Sequence, residues 1–111
     1  MEVAWNNWAQ FRFSQLLGCT YIEESQERAK EVGKLFAKDT KDRRLTTQEL
    51  ETMAALVCAG VEAADRKARR PTEVTFEDCF GLTHLLGDVL VAMVDSFPKV
   101  KEGEDDVKKK D

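Results

Sequence analysis

Three threonines in this chain are each followed, three residues later, by an acidic residue that opens an apolar pattern of helical period. The pairs are Thr20–Glu23, Thr46–Glu49 and Thr75–Asp78. In a capping box the threonine hydroxyl accepts from the backbone amide three residues on, and the acid accepts from the threonine's own amide. The three boxes therefore predict three helices with sharply defined starts.

The spacing of apolar residues gives the approximate extent of each long helix. Helix one is expected over about residues 21–38, helix two from the Thr46 box to about 68–70, and helix three over about 76–97. Pro71 and Pro98 stop the second and third helices, because proline disfavours helical geometry in the residue before it. Helix three carries two apolar stripes, more than two other long helices can cover. We therefore expect self-association, with a protein-binding surface on its second stripe, at Phe80, Leu85, Val91 and Val94.

Residues 2–13 fit two local structures. The asparagine pair Asn6-Asn7 lies between two apolar runs and tolerates the turn of a two-residue β-hairpin, which would place Trp5 opposite Trp8. The alternative is a short amphipathic helix that uses Trp5, Trp8 and Arg12. The hairpin is the favoured prediction. In that structure Trp5, Trp8 and Phe11 offer aromatic surface to a protein partner.

Composition places the chain in the class of mainly α proteins with one small domain. Of its 111 residues, 42% are hydrophobic and 34% are charged, and no apolar run approaches the roughly 20 residues that span a bilayer. The N-terminus lacks the pattern of a secretory signal, so we expect a cytoplasmic protein that does not enter a membrane. The helical domain is expected over 1–98. Residues 99–111 carry little apolar content and are expected to form a flexible charged tail.

Signals for chemistry are weak throughout. His84 is the one histidine, and Cys19, Cys58 and Cys79 are widely spaced, so neither a metal site nor a cofactor is predicted. Residues 38–49 superficially resemble a calcium-binding loop, but a lysine occupies the first ligand position and the turn glycine is missing. The net charge is −4, and the basic cluster at 66–70 meets the dipole at a helix end, which does not favour nucleic acid as a partner.

Several segments in order resemble the tail assembly chaperones of long-tailed bacteriophages. The resemblance spans about 3–97 and depends on Phe11-Arg12-Phe13, Leu45-Thr46-Thr47-Gln48-Glu49-Leu50, Ala55-Leu56-Val57-Cys58-Ala59-Gly60-Val61 and Val74-Thr75-Phe76-Glu77-Asp78-Cys79. It implies a non-enzymatic protein of the host cytoplasm that oligomerises and keeps the tape measure protein soluble. It also implies that no residue of the chain is catalytic.

Two other functions stay open at this stage. One is a small phage-encoded or mobile-element-encoded inhibitor that binds a host enzyme through the acidic surface of helix one. The other is a helical enzyme that uses Cys58 or Cys79 with His84.

Overall fold

A 21-residue helix, α3 (Thr47–Lys67), forms the centre of the protein. The computed structural model describes residues 1–37 and 45–96. Every residue of α3 from Thr52 to Val61 is buried. Its neighbours are α1 (Asn7–Leu17), α2 (Ile22–Ala37), α4 (Phe76–Cys79) and α5 (Leu86–Ser96). The short side chains of α3 let these helices approach it from several sides. The mainly α prediction is confirmed, and the described part of the chain contains no strand.

Two of the three predicted capping boxes are present. The Thr46 hydroxyl accepts from the Glu49 amide at 3.0 Å, and a Glu49 carboxylate oxygen accepts from the Thr46 amide at 2.9 Å. Thr75 and Asp78 make the same exchange at 3.1 and 3.0 Å. The prediction for α2 is wrong by one residue, because Glu24 and not Glu23 accepts from the amides of Thr20 and Tyr21.

The predicted N-terminal hairpin is wrong, and residues 7–17 form α1. Asn6 acts as the N-cap of this helix, since its side chain accepts from the Ala9 amide at 2.9 Å. Ala9 and Phe13 then lie one helical turn apart and are fully buried, whereas Phe11 is 55% exposed; a strand would place all three on one face. The helix ends at Gly18, whose positive φ of 72° suits a residue without a Cβ.

The predicted third long helix is interrupted. The chain makes the one-turn helix α4, passes through Gly81 and Leu82, forms a 3₁₀ turn at Thr83–Leu85 and continues as α5. The amides of 80–82 bond to carbonyls three residues back, in the tighter pattern of a 3₁₀ helix. Gly81 has low helix propensity. The break also lets Cys79 and Val89, on either side of it, both reach the core around α3.

The N-terminal segment and α5 meet α3 at Gly60. The Ala4 amide donates to the Gly60 carbonyl at 3.0 Å. A Cβ on Gly60 would lie 3.1 Å from a methyl group of Val89 and 3.4 Å from the Cβ of Val3. Gly60 therefore sets how closely both segments pack on the central helix.

The predicted tail at 99–111 and most of the calcium-loop-like segment, at 38–44, lie outside the described residues. None of the helices within 1–37 and 45–96 is long and apolar enough to cross a membrane.

Candidate functional site

A largely apolar groove of about 510 Å³ lies between α2 and α5, and we call it the α2–α5 groove. Its volume is in the range of binding pockets in proteins. Its lining combines apolar side chains, two amides and a lysine: Gln10, Gln26, Ala29, Lys30, Gly33, Leu90, Met93 and Val94.

Helical spacing places the lining residues of each wall on one face. The α2 wall uses positions 26, 29, 30 and 33, and the α5 wall uses positions 90, 93 and 94. Residues three and four apart share a helix face, so each wall is a continuous stripe. The α2 stripe runs from position 26 to position 33, which is seven steps of 1.5 Å or about 10 Å. The groove therefore presents about two turns of contact.

Two small residues, Ala29 and Gly33, leave open space along the α2 wall. Ala29 has only a methyl group, and Gly33 has no side chain. A Cβ placed on Gly33 would meet no atom within 4 Å, so the space beside this glycine is open. A glycine inside a helix is destabilising by roughly 0.5–1 kcal/mol relative to alanine. The open space at Gly33 therefore comes with a lower stability of helix α2.

A buried hydroxyl pair fixes the Gln10 end of the groove. The Ser25 hydroxyl donates to the Ile22 carbonyl at 2.8 Å, so in the 2.6 Å contact with Ser14 it is Ser14 that donates. The Gln10 amide nitrogen donates to the Ser25 oxygen at 3.0 Å. This network holds the Gln10 side chain in place at one end of the α2–α5 groove.

The seven predicted protein-binding residues fall into three environments. Trp5 and Leu85 are buried in the core, where Trp5 meets Phe13 edge-to-face at 5.9 Å between ring centroids. Trp8 is half-buried beneath the guanidinium of Arg66, at 4.5 Å from the ring centroid. The other four side chains are exposed: Phe11 (55%), Phe80 (40%), Val91 (60%) and Val94 (64%).

Of these seven residues, Val94 alone lines the α2–α5 groove. Sequence reasoning missed the rest of the lining, because Leu90 and Met93 read as core positions and Gln10 was placed in a strand. The i, i+4 pair of small residues Ala29 and Gly33 was the available signal. Small residues at that spacing allow another helix to approach closely.

The cysteine arrangement stabilises a protonated thiol. Cys58 and Cys79 are both buried, and Cys58 donates to a Glu62 carboxylate oxygen at 3.2 Å. The pKa of Cys58 is raised by its hydrogen bond with Cys79, by burial and by the Glu62 carboxylate, and the same hydrogen bond lowers the pKa of Cys79. A thiolate is the nucleophilic form, so these contacts work against a catalytic Cys58. His84 is exposed on the 3₁₀ turn.

The basic cluster at the end of α3 is engaged with its own chain. Arg66 covers Trp8, and Arg70 forms ion pairs with Glu2 at 2.9 Å and with Asp65 at 3.1 Å. Within 1–37 and 45–96 there is no group of three or more potential metal-ligating side chains.

Comparison of the chain with models of protein families, with curated proteins and with solved structures gives no match. The resemblance to tail assembly chaperones therefore depends on the sequence motifs, and it stays a prediction.

Proposed function

We propose that this protein is a non-enzymatic binding factor that holds an apolar helical segment of a client protein in the α2–α5 groove. The observation that carries the proposal is the groove itself: an open apolar surface between two helices, with Leu90, Met93 and Val94 on one wall and open space at Gly33 on the other. Helices that bind in grooves of this kind contribute anchors at i, i+3, i+4 and i+7.

The client that we propose is the tape measure protein of a long-tailed phage, and the setting is the host cytoplasm. The sequence resemblance supports this choice, and so does the size of the groove. Two turns of apolar contact suit a short part of a long helix, and many copies of the factor would then cover an elongated client. Binding would keep apolar stripes of the client out of water until assembly.

The apolar side chains of the α5 wall are by themselves too small an area for the contact of a stable homodimer. Full burial of an aliphatic side chain corresponds to about 60–120 Å² of apolar surface at 25 cal/mol per Å². The three apolar side chains of the α5 wall are partly covered, so they expose less than about 360 Å², against about 800 Å² per partner in a standard interface. Self-association stays a prediction, and Phe80 and Val91, outside the groove, are the exposed side chains that favour it.

The test is co-expression with a phage tape measure protein, followed by measurement of the client's soluble fraction. Val94→Asp places a charge in the groove, and Val91→Asp makes the same change on the same helix outside it. We expect the wild type and Val91→Asp to keep the client soluble, and Val94→Asp to lose this effect. A client that is equally soluble with and without the protein would refute the proposal.

Light scattering on the same three proteins tests self-association separately. A change in mass for Val91→Asp, together with retained client solubility, would separate the two surfaces.

A further inference from the structure

This inference rests on the proposed function and concerns the side chains that the client helix must have. We infer that the groove selects an amphipathic helix with a bulky apolar side chain opposite Gly33 and a carboxylate within reach of Lys30. The two requirements come from different physical features of the α2 wall.

The steric requirement follows from the open space at Gly33. Leu90, Met93 and Val94 form the apolar part of the α5 wall, whereas the α2 wall has the two small residues Ala29 and Gly33 beside the polar side chains of Gln26 and Lys30. Helices pack by placing the ridge of one into the groove of the other, and close packing leaves few voids. A large apolar side chain of the client would fill the space at Gly33 that this chain leaves empty.

The electrostatic requirement follows from the charge of the lining. Among the described lining residues Lys30 is the charged one, and the polar groups that accompany it are the amides of Gln10 and Gln26. Lys30 lies 3.6 Å from Glu27, with both side chains about 70% exposed. An exposed pair of this kind is weak, so the ammonium group is free to contact a client carboxylate. A client lysine at the same place would be repelled.

The closing experiment uses two labelled peptides of about 18 residues, long enough to form a helix. Both are acetylated and amidated and carry the same leucine stripe at i, i+3, i+4 and i+7. One has glutamates beside the stripe, and the other has lysines at the same positions. Fluorescence anisotropy with the full chain gives the two dissociation constants.

We expect the glutamate peptide to bind about two- to five-fold more tightly than the lysine peptide. Lys30→Glu, a change at an exposed position, should reverse this preference. Gly33→Leu should weaken both peptides at least about ten-fold by filling the groove. Gly87→Leu is the matched control, since a Cβ on Gly87 also meets no atom within 4 Å and Gly87 is outside the lining. Circular dichroism confirms that each variant is folded.

The outcomes distinguish this inference from the proposed function. Equal affinity for both peptides, a preference for lysine, or no binding of either peptide overturns the inference, and the proposed function still stands if the client is kept soluble. Peptide binding as expected, together with an insoluble client, overturns the proposed function instead. Full affinity in Gly33→Leu removes the steric requirement.

Discussion

Replacing Arg12 and Glu62 by methionine, singly and together, should reveal a coupling free energy of about 1–3 kcal/mol between α1 and α3. The Arg12 guanidinium contacts both carboxylate oxygens of Glu62, at 2.9 and 3.4 Å. It also donates to Gln15 at 2.8 Å, and Glu62 accepts from Cys58 at 3.2 Å. The pair therefore ties two helices and belongs to a wider network.

The expected size of this coupling free energy depends on how far the two side chains are buried. The Arg12 and Glu62 side chains are 29% and 12% exposed, between a surface pair and a fully buried one. Surface pairs contribute about 0.2–1 kcal/mol, and breaking a buried pair costs about 3–5 kcal/mol. Each single variant leaves a charge that is partly shielded from water. Each should therefore cost about 2 kcal/mol, and the double variant should cost less than the sum.

Urea unfolding, followed by far-UV circular dichroism, measures the four free energies of unfolding. With a typical dependence of about 1–3 kcal/mol per molar urea, a single variant should lower the midpoint by about 1 M. The control cycle uses Glu31 and Lys34, an exposed pair at 3.7 Å with side chains 63% and 66% exposed. Its coupling should stay below about 0.5 kcal/mol. Additivity within about 0.5 kcal/mol for Arg12 and Glu62 would refute the reasoning.

Three further predictions concern the cap, the helix crossing and the buried thiol. Thr46→Ala should lower the free energy of unfolding by about 1 kcal/mol, measured by urea titration, because the N-cap bond to Glu49 is lost. Gly60→Val should destabilise by about 1–3 kcal/mol because added methyl groups collide with Val89, whereas Gly60→Ala should be nearly neutral in thermal melts. The raised pKa of Cys58 means that only the unfolded state loses this proton just above pH 9. Stability should therefore fall as the pH rises above 9, with a slope that approaches about 1.4 kcal/mol per pH unit, and Cys58→Ala should remove that contribution.

For each of these three predictions, one result would contradict the reasoning. An unchanged midpoint for Thr46→Ala would mean that the cap forms without the hydroxyl. Normal stability in Gly60→Val would place Val89 farther from α3. A slope that persists between pH 9 and 10 in Cys58→Ala would assign the titration to another group.

Local signals predicted the two long helices well. The Thr46 box and Pro71 bracket α3, and Ser25, Ala29 and Val32 of α2, which are spaced four and three residues apart, are all buried. These features depend on residues within a few positions of one another, so the sequence carries them directly. The mainly α class follows for the same reason.

Tertiary packing decided the structures that local signals left ambiguous. Asn6 suits a hairpin turn and a helix cap equally well, and the observed helix buries Ala9 and Phe13 in the core while it leaves Phe11 exposed. The apolar residues of 76–96 fit one long helix, but the chain turns between Phe80 and Leu85, so α4 and α5 pack on α3 as two separate helices. Of the second apolar stripe predicted there, Leu85 is buried in the core, whereas Phe80, Val91 and Val94 are exposed.

The sequence by itself determined where the helices with strong caps begin, which residues are apolar, and that no conventional catalytic motif is present. Only the tertiary structure decided that α2 and α5 stand apart over Ala29 and Gly33 and leave a groove. The physical reason is that caps and helical periods act over three or four residues along the chain. A groove, in contrast, depends on the distance between two helices far apart in sequence, and the packing of each against α3 sets that distance.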